Sequence, residues 1–319
     1  MINNNVLKGV FLVALGATSY GMLATFVKIA YGEGFTTAEV TSSQFFFGII
    51  SLFLITVFQK KKQDSTGVRM TKKHKKQLMF AGTSTGLTSI FYYLAVKFDI
   101  PVSIAIVLLM QTVWMGVLLE MFLEKKIPSV VKIIAVIIVF IGTTLATNLI
   151  NSTITLNPLG VFFGILAAAS FTMTMFCANS VATEISSAKR SLYMLLGGGT
   201  VVLIFALITQ IIPNHSETFK ETMGVFSTAK DFNFSILFKW GIVLSLFGTI
   251  IPPMLLNAGF PLTGIGLGSI VSSLELPVSV LMAYFLLHEQ VLFLQWIGIL
   301  LIIMAIVIMN INFKKQVIS

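Results

Sequence analysis

The chain has 319 residues, of which 56% are hydrophobic and only 10% are charged, where an ordinary soluble protein has roughly a quarter charged residues. This composition excludes a water-soluble domain and predicts an all-α integral membrane protein. The net charge of +9 does not indicate a nucleic-acid partner, because the basic residues lie in short segments between apolar runs. The single cysteine, Cys177, excludes an intrachain disulfide.

Apolar runs of about 20 residues, the length that crosses a bilayer, predict ten transmembrane helices. In chain order they cover residues 6–27, 38–58, 77–96, 102–123, 130–149, 158–181, 191–212, 236–256, 262–287 and 291–311. An even number of spans puts both termini on one side. Most of the 21 Lys and Arg residues fall on that side, most densely in 60–76, so the positive-inside rule predicts that both termini are cytoplasmic. We therefore expect a multi-pass protein of the cytoplasmic membrane.

Two sequence similarities indicate an internal repeat. The segment GVFLVALGATSYG begins at Gly9, and GVFFGILAAASFT begins 151 residues later at Gly160. Residues 113–124 align with 278–289 at an offset of 165, and both end in a glutamate. The halves, 1–150 and 151–319, would each hold five spans, and an odd number inverts the second half. Inverted repeats are typical of secondary transporters, whose substrate site lies near the middle of the membrane.

These features resemble a known family. Ten spans in two halves, a short cytoplasmic N-terminus, an apolar run that closes at Glu124, the alanines at Ala95 and Ala105 and the element LELP at 274–277 are similar to the EamA branch of the drug/metabolite transporter superfamily. The resemblance implies a ten-helix inverted-repeat fold. It also implies export or import of small metabolites, amino acids among them, and of some drugs.

Glu275 lies in the middle of the ninth predicted span. A charge in hydrocarbon costs about 2.5–3.5 kcal/mol on insertion scales, so such a residue usually faces the bundle interior or a cavity. Helical spacing places Ser272 and Ser279 on its face. We expect Pro277 to kink the helix beside it. Two interpretations stay open: a carboxylate that binds a substrate ammonium or exchanges protons, and a neutral acid that is hydrogen-bonded between helices.

Other polar and aromatic residues within the predicted spans are candidates for a substrate cavity. Gln111, with Trp114 one turn later, combines an amide with an aromatic wall, and Gln44, Tyr20 and Tyr92 could line the same space. Each also has a structural explanation, as an interhelical hydrogen bond, a packing contact or an interfacial anchor.

The sequence contains no Ser/His/Asp, Cys/His or metal-ligand cluster, so we expect neither an enzyme nor a cofactor or metal. The hypothesis is a secondary transporter, exporting in the direction that the family favours, of small metabolites such as amino acids or derivatives. Its partners would be the substrate, the lipid bilayer and, if the transport is ion-coupled, protons. One alternative is a nucleotide-sugar or organophosphate carrier, which needs buried Lys or Arg. The other is a membrane scaffold that does not transport.

Overall fold

A computed structural model describes residues 4–61, 70–98, 100, 102–147, 157–228, 230–288 and 290–316. The first half is made of helices, which are α1 (Asn4–Gly32), α2 (Thr37–Lys61), α3 (Lys72–Lys97), α4 (Val102–Leu109), α5 (Thr112–Glu124) and α6 (Val130–Ala146). The predicted end of the fifth span, part of the densest basic segment and Glu289 lie outside the described residues.

The second half is also helical where it is described. Its helices are α7 (Pro158–Ser180), α8 (Ser187–Ala206), α9 (Ile212–His215), α10 (Glu217–Met223), α11 (Ile242–Ser245), α12 (Ile251–Ser272), α13 (Glu275–Leu287) and α14 (Phe293–Gln316). Three π-helical turns, Leu207–Ile211, Leu237–Gly241 and Leu246–Ile250, join α8 to α9 and flank α11. The short α10 and the 3₁₀ turn Gly224–Phe226 lie between the seventh and eighth predicted spans.

Local chemistry explains where several helices begin. The Thr36 hydroxyl accepts from the Glu39 backbone N–H at 3.1 Å while the Glu39 carboxylate accepts from the Thr36 N–H at 2.8 Å, a reciprocal capping box. Ser129 caps α6. Asn157 caps α7, with Pro158 at the first helical position, where its missing N–H is not needed.

The predicted eighth and ninth spans are joined by a bend at Gly264. The helical stretch Leu237–Leu287 has 51 residues, and a straight helix of that length would measure about 75 Å, more than twice the hydrocarbon thickness. Gly264 has a φ of 74°, which only glycine adopts readily. The chain folds back there, so that the Phe260 ring lies where a side chain on Gly268 would stand. The sequence placed the separation at 257–261, but those residues are helical.

Two interruptions divide the predicted fourth and ninth spans into shorter helices. The first lies at 110–111, between α4 and α5, and the second at 273–274, between α12 and α13. Both α5 and α13 have 13 residues, and each ends at a residue in the left-handed conformation, Lys125 with φ 52° and His288 with φ 53°. The two halves therefore repeat this broken helix.

The breaks correct the register of the repeat. Corresponding positions lie 163 residues apart, 275 against 112 and 288 against 125, rather than the 165 of the sequence alignment. The counterpart of Glu275 is therefore Thr112. The sequence alignment differs from this register by two residues because it matched the two apolar runs at their closing glutamates rather than at the helix ends.

Helices of the two halves pack closely through glycines. On the facing surfaces of α3 and α8, a Cβ on Gly82 would collide with the backbone of Met194, and a Cβ on Gly197 with the backbone of Met79. Small residues allow this approach, which is typical of membrane helices. The arrangement joins the first half of the chain to the second.

The outer surface is strongly apolar. Eight phenylalanines in the described part of the chain are between 63% and 87% exposed, namely Phe11, Phe58, Phe80, Phe122, Phe234, Phe238, Phe285 and Phe293. Exposed apolar surface on this scale is unfavourable in water and suited to lipid. In the described part of the chain, six helical stretches are long and apolar enough to cross a membrane, and Val130–Ala146 and Phe293–Met309 are shorter apolar helices.

Candidate functional site

A cavity of about 60 Å³ lies between helices of the two halves. Its walls come from the middle of α1, α2, α3 and α7, from the π turn Leu246–Ile250 and from the start of α13. Its aromatic and larger polar lining consists of Tyr20, Gln44, Tyr92, Tyr93, Phe171 and Glu275. Four of the predicted site residues, Glu275, Gln44, Tyr20 and Tyr92, are therefore brought together.

Glu275 is the acidic member of this lining. It is the first residue of α13 and is 7% exposed, and its Oε2 atom is buried without a hydrogen-bond partner among the described residues. The Tyr92 hydroxyl is also buried without such a partner. Tyr20 and Tyr92 lie within electrostatic reach of Glu275. Because an unpartnered buried polar atom costs about 1–3 kcal/mol, these atoms are suited to receive a ligand.

Gln44 holds the opposite wall in place. Its side-chain oxygen accepts from the Tyr93 hydroxyl at 3.0 Å, and its backbone carbonyl accepts from the Thr249 hydroxyl at 2.9 Å. Its amide nitrogen lies where a side chain on Gly248 would stand. Because Gly248 has no side chain, α2 can approach the π turn Leu246–Ile250 closely. Such π turns are frequent at functional sites.

Aromatic rings form much of the remaining wall. The Tyr20 and Phe171 rings meet edge to face at 5.8 Å, and the Tyr92 and Tyr93 rings lie 5.7 Å apart. A carboxylate beside aromatic faces is a combination that attracts a cationic ammonium group. No Lys, Arg or His belongs to the described lining.

The structure places Gln111 and Trp114 outside this cavity. The Trp114 Nε1–H donates to the Gln111 side-chain oxygen at 2.9 Å, and the Gln111 amide donates to the Val107 carbonyl at 3.2 Å. These bonds satisfy polar groups at the break between α4 and α5. The pair stabilises the interrupted helix through bonds that are local to the break rather than between distant spans.

Ser272 and Ser279 are also separated from the Glu275 cavity. The Ser272 hydroxyl donates to the Gly268 carbonyl at 2.9 Å, within its own helix. Ser279 lines a different cavity of about 460 Å³, together with Lys28. The predicted common face assumed one continuous helix, whereas the break at 273–274 separates Ser272 from Glu275. Ser279 follows Glu275 by one turn within α13 and nevertheless lines the other cavity.

Pro277 lies in the first turn of α13. The expected kink is a break that precedes the proline, with the Ser273 carbonyl accepting from the Leu276 N–H at 3.2 Å. A proline in the first turn has no intrahelical donor to lose, so α13 continues undisturbed after it.

Hydroxyl groups on α3 were missed by the sequence reasoning. Thr85, Thr88 and Ser89 all line the cavity, with Thr174 of α7 beside them. The segment GTSTGLTS at 82–89, unusually rich in hydroxyls for an apolar span, was a usable signal.

Arg190 directly precedes the predicted span 191–212, where the positive-inside rule predicts a solvated cytoplasmic charge, but its side chain is only 1% exposed. It donates to the carbonyls of Ala178 and Cys177, at the end of α7, and to those of Val181 and Asn257. Cations favour the negative end of a helix, so Arg190 caps α7 and ties it to α12. It lies outside the Glu275 cavity.

Glu39 forms a second buried polar cluster at one end of the bundle. It is fully buried, and its Oε1 atom accepts from the Gln210 amide at 2.9 Å and from the Asn233 backbone N–H at 2.7 Å. Together with its bond to Thr36, these contacts join the start of α2 to the π turn Leu207–Ile211 and to the segment before α11. The cluster holds the two halves together at this end.

Comparisons with known proteins agree with this architecture. A crystal structure of another protein superposes with a TM-score of 0.71, covering 97% of this chain and 98% of that one at 12% sequence identity, which shows a shared fold. A search of curated proteins finds no significant match. A model of the EamA-like transporter family matches residues 7–148 and again residues 158–311. Since the two matches cover most of its length, the chain belongs to the EamA-like transporter family.

Proposed function

We propose that the chain is an alternating-access secondary transporter of small metabolites that carry a protonated amine, a class that includes amino acids and their derivatives. The observation that carries this proposal is the buried, unpartnered carboxylate oxygen of Glu275 in a cavity between the two halves. Membership of the family makes the chain a multi-pass integral membrane protein of the transporter type. Its location in the cytoplasmic membrane and its role as an exporter are part of the proposal.

The proposed topology has ten spans in two inverted repeats, 1–150 and 151–319, with both termini cytoplasmic. It is supported by the paired helix breaks and by the excess of Lys and Arg on the side that holds the termini. In this topology Glu39 and Gln210 lie at the outer end. Alternating access would then require their hydrogen bond to part when the cavity opens outward.

Glu275 also provides a means of coupling. A single carboxylate that binds either a proton or a substrate ammonium makes the two ligands competitive, and competition of this kind can couple their opposite movements. The carrier of sugar nucleotides or organophosphates is less well supported. An anion in a low-dielectric cavity needs a cationic partner, and the described lining offers none.

The test is transport by the purified chain in proteoliposomes, with a panel of radiolabelled amines and amino acids and with or without a pH gradient. We expect uptake of at least one amine-bearing substrate, reduced tenfold or more in Glu275→Gln, since the charged partner is lost. The control is Glu124→Gln, at the exposed end of α5, which should transport normally. Equal transport by Glu275→Gln would refute the site, and no transport across the panel would favour the scaffold.

A further inference from the structure

The hydrogen-bonding groups of the Glu275 cavity are mostly acceptors. The Thr88 hydroxyl donates to the Ser84 carbonyl at 2.8 Å, that of Ser89 to the Thr85 carbonyl at 3.4 Å, and that of Thr174 has the Ser170 carbonyl at 3.1 Å. A hydroxyl has one proton, so these groups keep only lone pairs for a ligand.

The same holds on the other wall. The Thr249 hydroxyl donates to the Gln44 backbone carbonyl, and the Tyr93 hydroxyl donates to the Gln44 side chain. Together with the Glu275 carboxylate, these hydroxyl groups give the cavity several acceptors and one negative charge. The neutral groups that can donate to a ligand include the Gln44 amide and the hydroxyls of Tyr92, Tyr20 and Thr85, and these hydroxyls can also accept.

A ligand carboxylate has no favourable place in this arrangement. It would lose its hydration, lie in the same small cavity as Glu275 and meet no cation among the described lining residues. An ammonium group, by contrast, has three N–H donors and no acceptor, which matches the acceptors and the aromatic rings. The carboxylate of a free amino acid therefore disfavours binding in this cavity, whereas its ammonium group fits the acceptors.

From this donor and acceptor pattern we propose that the site selects protonated amines with a small apolar or aromatic body and no free carboxylate, such as monoamines or carboxyl-blocked amino-acid derivatives. Free zwitterionic amino acids are poor ligands. The inference rests on the proposed function and narrows its substrate class.

Four probes that share one aromatic body test this selectivity: phenethylamine, phenylalaninamide, phenylalanine and 3-phenylpropionate. Dissociation constants are measured by calorimetry on the purified full-length chain in detergent. We expect the two amines to bind roughly tenfold or more tightly than phenylalanine, because the unpaired carboxylate is the difference, and 3-phenylpropionate to bind undetectably. In Glu275→Gln the preference for phenylalaninamide over phenylalanine should shrink, since repulsion between carboxylates is removed.

Phenylalanine binding as tightly as its amide would overturn the inference, as would failure of both amines to bind to folded protein. These outcomes differ from failure of the proposed function. Proteoliposomes that carry phenylalanine in a Glu275-dependent manner would preserve the transporter and its site while rejecting the amine selectivity. Absence of transport for every amine-bearing compound would reject both.

Discussion

Two adjacent tyrosines offer a sharp test of the cavity, because the same substitution should act in opposite directions at the two positions. The Tyr92 hydroxyl is buried without a partner in the described part of the chain, whereas the Tyr93 hydroxyl donates to Gln44 at 3.0 Å. Both lie on α3 and both line the cavity. Tyr92→Phe and Tyr93→Phe remove one oxygen atom each and leave the rings in place.

The magnitudes follow from these contacts. An unpaired buried hydroxyl costs about 1–3 kcal/mol, so its removal in Tyr92→Phe should raise the free energy of unfolding of the ligand-free protein by about 1 kcal/mol. Tyr93→Phe loses a satisfied bond and leaves the buried Gln44 oxygen without its donor, which should lower the free energy of unfolding by about 1–3 kcal/mol. With an amine ligand, Tyr92→Phe should weaken binding about two- to tenfold, the equivalent of one hydrogen bond.

The assay is thermal unfolding of the purified variants in one detergent, followed by titration with the tightest amine found. Tyr92→Phe should have the highest melting temperature, wild type an intermediate one and Tyr93→Phe the lowest. A Tyr92→Phe variant that melts as early as Tyr93→Phe, or that binds the amine as tightly as wild type, would show that this hydroxyl does not serve the ligand.

Three further predictions concern the framework around the site, each checked by thermal unfolding in detergent. Gly82→Ala should destabilise by about 1–3 kcal/mol, because its Cβ overlaps backbone of α8, while Gly32→Ala, with open space around it, should be nearly neutral. Arg190→Lys should lower the free energy of unfolding by about 2–4 kcal/mol, because one ammonium cannot reach carbonyls on two helices. An unchanged stability would contradict the capping role of Arg190. Glu39→Ala should lower the free energy of unfolding by about 2–5 kcal/mol. Glu33→Ala removes only an exposed ion pair with Lys239 and should lower it by less than about 1 kcal/mol. Equal effects of the two substitutions would disprove the buried cluster.

Glu275 illustrates how far sequence reasoning reaches at this site. A carboxylate within an apolar run stands out because of its insertion cost, and so it was identifiable without coordinates. The residues that surround Glu275 in the cavity were not identifiable in this way. Tyr20, Gln44 and Phe171 lie on three other helices, and their approach depends on the glycines that set the distances between those helices. Residues close in sequence, such as Ser272, were poorer guides because one helix break separates them from Glu275.

Arg190 is a second residue whose surroundings could not be predicted from the sequence. Its place beside a predicted loop suggested a solvated charge that marks the cytoplasmic side. Whether a basic side chain reaches water or turns inward depends on nearby helix ends, and here the carbonyls at the end of α7 provide acceptors. Capping by a residue nine or more positions away leaves no periodic pattern to detect.

By itself, the sequence determined the class of protein. The length of the apolar runs dictates membrane helices, since backbone groups in lipid must be satisfied within the helix, and the repeated segments reveal two related halves. Only the tertiary structure decided where those helices break and turn. The bend at Gly264 and the interruption at 273–274 depend on what packs against them, and together they turn one apolar stretch into a cavity wall with Glu275 at its edge.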